Sequence, residues 1–183
     1  MKRIFKYAMP VMAVVILAAC GNGSTNKDNH EGHTDSADDK TSSATTITAA
    51  SLKDGKLNAV YQHYVHLTTA LVNSDAAEAK VAANAIEAGA REMEGGSIIA
   101  AQASKITNAS DIEVQRAAYE VLSNNMIELV KKSGLNSGEL YVEFCPMAFD
   151  DKGAAWLSNN KEIRNPYFGD KMLKCGEIKE TIK

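Results

Sequence analysis

The sequence predicts a mainly α fold: an antiparallel bundle of about four helices with an irregular C-terminal segment packed on it. Three observations predict it. Apolar residues recur at spacings of three and four from Leu57 to Val130. Cap and stop residues divide that stretch into segments joined by connections of a few residues, which favours antiparallel packing. The last fifty residues then lose the helical period.

The first helix is read from Leu57, Val60, Tyr61, Tyr64, Leu67 and Leu71, which share one helical face. A second should start after Asn73, where Asp75 and Glu78 form a capping box: Asp75 accepts from first-turn amides and Glu78 reaches back. Ala79, Ala82, Ala83, Ile86, Ala90 and Met93 give it a narrow face for close helix approach, and Gly95-Gly96 ends it. A short third helix covers Ile98 to Ile106. For the fourth, Ser110 and Glu113 read as a second capping box, Ile112, Tyr119, Leu122, Met126, Leu129 and Val130 form the apolar face, and Gly134 stops the run.

Beyond it, Leu140, Val142 and Phe144 alternate with Tyr141 and Glu143, a short strand or extended arm. Turn signals follow at Asp150-Asp151-Lys152-Gly153, Ser158-Asn159-Asn160 and Asn165-Pro166. Trp156, Leu157, Tyr167 and Phe168 are read as the side chains that pin this segment onto the bundle.

The N-terminus predicts export. Lys2, Arg3 and Lys6 precede an apolar stretch from Tyr7 to Ala19, too short to span a bilayer comfortably, and Leu17-Ala18-Ala19-Cys20 closes it. That ending resembles the bacterial lipobox, in which the cysteine is acylated and the peptide is cut just before it. Residues 1–19 are therefore expected to be a lipoprotein signal peptide, and Cys20 the lipidated residue. Residues 20–50 are rich in Gly, Asn, Ser, Thr and Asp, lack large apolar side chains, and read as a flexible tether; residues 51–183 form the domain. The His30 and His33 pair in the tether reads as solvated polar residues with a minor capacity to catch metal. Cleavage removes three basic residues and no acidic one, taking the formal charge from −3 to −6. A mildly acidic chain without a Lys/Arg cluster argues against nucleic acid as a partner and leaves the lipid as the membrane anchor.

Two cysteines remain, Cys145 and Cys175. In an exported chain they read by default as one disulfide, closing a loop of about 30 residues worth about 3–4 kcal/mol. The alternative is metal. Pro146 favours an extended Cys145, which would turn Cys145 and Met147 to the same side, and Met172 and Cys175 share a face if they lie on a helical turn. Two thiolates and two thioethers would suit monovalent copper, a soft ion, far better than magnesium or calcium. His63 and His66 lie three apart on the first helix, and His66, nearer the buried face, is a supplementary metal ligand candidate. No Gly-x-Ser-x-Gly, His-Glu-x-x-His, phosphate-cradling glycine loop or Cys-x-x-Cys occurs, so an enzyme is not expected.

The stretch Tyr61 to Asp75, the segment QRAAYEVLSNNMIELVK and above all CPMAFDDKGAAWLSNNKEIRNPYFGDKMLKCG resemble a bacterial domain family of unassigned function. That family occurs as lone lipoproteins and at the C-terminus of periplasmic adaptor subunits of copper/silver-type heavy-metal efflux pumps. The motif residues are Cys145, Pro146, Met147, Trp156, Asn165, Pro166, Gly169, Met172 and Cys175. Where members often carry a histidine before the first cysteine, this chain has Phe144. The resemblance tips the balance toward metal. The protein is then expected to be an envelope lipoprotein, lipid-anchored in the outer membrane facing the periplasm, that binds monovalent copper, and the resemblance implies an efflux adaptor or another envelope protein as its partner. The alternative it leaves is a disulfide-stapled interaction domain.

Overall fold

The computed structural model describes residues 50–183, so the expected signal peptide, Cys20 and the expected tether through residue 49 lie outside the described residues. A two-residue strand, β1 (Ser51–Leu52), precedes four helices: α1 (Gly55–Val72), α2 (Ala76–Arg91), α3 (Ser97–Asn108) and α4 (Ile112–Ser133). Four more strands follow: β2 (Leu135–Ser137), β3 (Leu140–Cys145), β4 (Ala154–Ser158) and β5 (Glu177–Ile182). The bundle with an appended C-terminal segment is thus as expected. Among the described residues no helix is long and apolar enough to cross a membrane.

Three of the four helices begin where a carboxylate can accept their free amides; α3 begins after Gly96 without a side-chain cap. Asp54 accepts from the N–H groups of Lys56 and Leu57, and Asp75 from those of Ala77 and Glu78. The first helix therefore starts at Gly55, two residues before the expected Leu57. The cap of α4 differs from the sequence reading: Asp111, not Ser110, accepts from Glu113 and Val114. A carboxylate is the stronger acceptor at the positive end of the helix, and Ser110 instead meets the Lys80 ammonium at 3.5 Å. Neither expected partner glutamate reaches back. Glu78 pairs with His66 and Glu113 with Arg116.

Each helix packs on the next in sequence. Ala79, Ala82, Ala83, Ile86 and Ala90 of α2 are all buried. The absence of a side chain at Gly89 lets α1 approach, since a Cβ there would stand 2.7 Å from Val60 Cγ2. The segment after α4 is more regular than its composition suggested. β3 is the centre of a three-stranded antiparallel sheet ordered β4-β3-β5, and β1 pairs with β2 across the start and end of the bundle. Trp156, Leu157 and Tyr167 are buried, as their reading as core residues requires.

Hydroxyl groups fasten this sheet to the helices. Tyr64 of α1 accepts from the Leu157 N–H (2.9 Å) and from the Tyr119 hydroxyl of α4 (2.8 Å), and lies 2.8 Å from the Ser123 hydroxyl. Ser123 and Tyr167 both donate to the Ala155 carbonyl, at 2.9 and 2.6 Å. Burial raises the pKa of all three tyrosines, so they remain protonated donors at neutral pH.

Asp111→Ala should lower the stability of the domain by about 1 kcal/mol, as loss of a helix cap does, and Ser110→Ala by less than half of that. Urea unfolding of the two variants checks the assignment of the cap.

Candidate functional site

The register of the sheet brings the two cysteines together. Phe144 of β3 faces Glu177 of β5, so one step further along the ladder Cys145 comes opposite Gly176, the neighbour of Cys175. The Cys145 and Cys175 thiols are neighbours, and the backbone of Met147 lies close to Cys175. Both are free thiols in this structure. Cys145 has no exposed surface and Cys175 is half-buried. Burial, followed by the neighbouring Cys145, pushes the Cys175 thiol up to about 11. A thiol held protonated at neutral pH is a poor nucleophile.

The strand end that carries Cys175 is held by a buried amide. Asn165 Nδ2 donates to the Cys175 carbonyl (2.8 Å), and its Oδ1 accepts from the Tyr167 N–H (2.8 Å). The backbone of Asn165 completes the set, donating to the Leu173 carbonyl and accepting from the Gly169 N–H. Gly176 must be glycine: its φ is +146°, and a Cβ would lie 2.9 Å from Trp156 Cη2. The loop is tied to the bundle by Arg116, which is buried. Its guanidinium donates to the carbonyls of Pro166 (2.9 Å) and Leu71 (3.1 Å) and to Ser74 Oγ (3.0 Å). Gly169 sits against that guanidinium, with room for no side chain. Of the motif residues, Trp156, Asn165, Pro166 and Gly169 are therefore scaffold that positions the thiol pair.

Neither methionine is wholly buried. The chain does not stay extended through Pro146: Met147 adopts a right-handed turn conformation (φ −87°, ψ −8°), and its side chain is 48% exposed while Cys145 is wholly buried. The expectation that residues 145 and 147 project to one side is corrected on that point, because the chain turns at the end of β3. Met172 and Cys175 do not lie on a helix either. They are linked by a turn in which the Cys175 N–H donates to the Met172 carbonyl at 3.0 Å. Both methionines nevertheless flank the thiol pair in the chain's path, Met172 half-buried. His66 is placed elsewhere, its Nε2 2.7 Å from Glu78 Oε1 on the exposed α1–α2 surface. Among the described residues no three His, Cys, Asp or Glu side chains gather at one point, so no third ligand of those types joins the thiols.

One buried group was missed by the sequence reading. Glu143 points away from solvent with neither carboxylate oxygen hydrogen-bonded, and the buried Tyr61 hydroxyl is likewise without a partner. Desolvation raises the Glu143 pKa from 4.5 to about 7, with the nearby Trp156 and Ser158 side chains partly offsetting it. Strict alternation along β3 marked position 143 as outward-facing. The signal that could have found it is that both faces of β3 are covered: Leu140 to Glu143 are all buried.

Because the folded state favours protonated Glu143, the stability this proton carries is fully present below about pH 4.5 and is lost as pH rises toward about 7. Glu143→Gln should remove that decline and stabilise the domain above neutral pH by up to about 3 kcal/mol. Denaturant unfolding of both proteins across this range is the measurement.

Comparison with known proteins bears on the helices alone. No curated protein and no solved structure matches the chain. Residues 60–138, from α1 through β2 to the connection before β3, match the model of a family described as "Protein of unknown function (DUF3347)", and the helical bundle is similar to that family's domain.

Proposed function

We propose that this protein is a membrane-anchored envelope lipoprotein that binds a soft metal, monovalent copper, for buffering or delivery to efflux. The observation that carries the proposal is the neighbouring placement of the Cys145 and Cys175 thiols, each with a methionine in the adjoining turn of the chain. Among the described residues no third His, Cys, Asp or Glu joins the thiols, so Met147 and Met172 are the proposed further ligands. A sulfur-only donor set selects monovalent copper over hard cations. Binding displaces the thiol protons, so affinity rises with pH. The heavy-metal efflux adaptor suggested by the motif resemblance is the proposed partner, and a lipid on Cys20, in the outer membrane facing the periplasm, the proposed anchor.

The same placement of the thiols supports a second reading, a Cys145–Cys175 disulfide that staples an interaction domain. Two measurements separate the readings. Protein purified from its native envelope without added oxidant should present Cys145 and Cys175 as free thiols. The reduced wild type should then bind one monovalent copper against a competing chelator, and the Met147→Leu/Met172→Leu double variant should bind it about ten-fold or more weakly, since each factor of ten is about 1.4 kcal/mol. Absence of free thiols, or equal affinity in the two proteins, favours the staple. For the anchor, Cys20→Ala should release the protein from membranes or stall its processing. Unchanged membrane retention after normal cleavage would refute the lipid attachment.

A further inference from the structure

We propose that the cleft between α1 and the loop that follows β4 is a binding site for a small carboxylate with a compact apolar body, its anion held by Arg164. The site is separate from the thiol pair and does not rest on the soft-metal reading. The cleft offers a volume of about 170 Å3. A cavity of about 150 Å3 admits benzene, so this one suits a ligand of about six to eight non-hydrogen atoms.

Two parts of the chain fix its walls. Val65, Thr68, Thr69 and Val72 recur at three- and four-residue spacing, which puts them on one face of α1. On the other wall, Trp156 and Leu157 are seated in the core, with the Leu157 N–H held by Tyr64. The chain then leaves the sheet in a braced turn. Ser158 Oγ accepts from the Asn160 N–H (3.0 Å) and donates to the Asn160 carbonyl (2.8 Å), and Asn160 Oδ1 accepts from the Glu162 N–H (3.1 Å). It returns to the fold at Asn165, whose N–H donates to the Leu173 carbonyl. The loop is anchored at both ends, so the cleft is formed before any ligand arrives.

Charge and hydrogen bonding then sort the lining. Glu162 is paired with Lys174, whereas Arg164, which also lines the cleft, is exposed and enters no ion pair among the described residues. The one unpaired charge on the lining is therefore positive, which favours an anion and disfavours a cation. A guanidinium presents a planar fork of donors that matches a carboxylate. On the same loop Asn160 has its Oδ1 engaged, which leaves Nδ2 to donate. The helix wall offers the opposite. The Thr68 and Thr69 hydroxyls give their protons to the Tyr64 and Val65 carbonyls, both at 2.9 Å, and are left to accept. The anion thus belongs on the loop side, and Val65, Val72 and Trp156 supply apolar surface for the rest of the ligand.

The probe is isovalerate, with isoamyl alcohol as its uncharged counterpart, titrated into the reduced, isotope-labelled full chain while amide chemical shifts are followed. The acid should shift amides between Val65 and Val72 and between Leu157 and Arg164, and saturate with a Kd of about 1 mM or tighter. The alcohol should bind about ten-fold more weakly. Arg164→Gln, a change at an exposed loop position, should weaken the acid about ten-fold and leave the alcohol unchanged, as loss of a charge-assisted hydrogen bond does. Val65→Phe, which fills the cleft, should abolish binding of both, and thermal melts beside the wild type check that it folds. No saturable shift up to about 20 mM acid overturns the proposal and leaves a water-filled surface cleft. Saturation centred elsewhere, or equal affinity for the acid in wild type and Arg164→Gln, overturns it as well. The Arg164 variant decides the matter if Val65→Phe does not fold.

Discussion

The Tyr64 hydroxyl is the junction on which the C-terminal half of the domain depends. It receives the Leu157 amide of β4 and the Tyr119 hydroxyl of α4, and touches Ser123, so three elements meet at one buried oxygen. A polar atom at that depth is stable only when paired, so β4 has one seat on the bundle. Once β4 is seated, β3 pairs with it over Tyr141 to Cys145, and β5 pairs with β3 on the far edge. The position of the thiol pair is thus inherited from a tyrosine on the first helix.

A second constraint acts on the loop between β4 and β5, which has little ladder pairing of its own. Asn165 and Arg116 supply side-chain donors where a sheet would supply backbone ones. Tyr167 stands between them in an aromatic cluster, its ring 5.5 to 5.9 Å from those of Tyr119, Phe149 and Trp156. Phe149 reaches that cluster from a turn in which Phe149, Asp150 and Asp151 all have positive φ. Left-handed conformations cost non-glycine residues about 1–2 kcal/mol each. The turn persists because Gly153 N–H closes onto the Ala148 carbonyl at 2.9 Å and the Phe149 ring packs edge-on against Tyr167.

The helices were legible because their signals are local. The faces of α1 and α2, the Asp75 cap and the stop at Gly134 all follow from spacing and residue type. Polar residues on the core side of α4 were not legible. Gln115, Arg116 and Ser123 are buried because of carbonyls distant in sequence, at Ala76, Pro166 and Ala155, and no periodicity announces such partners. The pairing of β3 with β5 joins residues more than thirty apart and was hidden for the same reason. Cys145 and Cys175 were found by residue type, whereas the turn conformation of Met147, and hence its exposure, depends on how β3 ends.

Trp156 has one more consequence. It is the chain's single tryptophan, wholly buried, and its Cη2 lies against the glycine that follows Cys175. The protein's only indole fluorophore is therefore within one residue of the thiol pair and in edge contact with Tyr167. No second indole competes with its emission, which makes the chain its own optical probe of what happens at those two sulfurs.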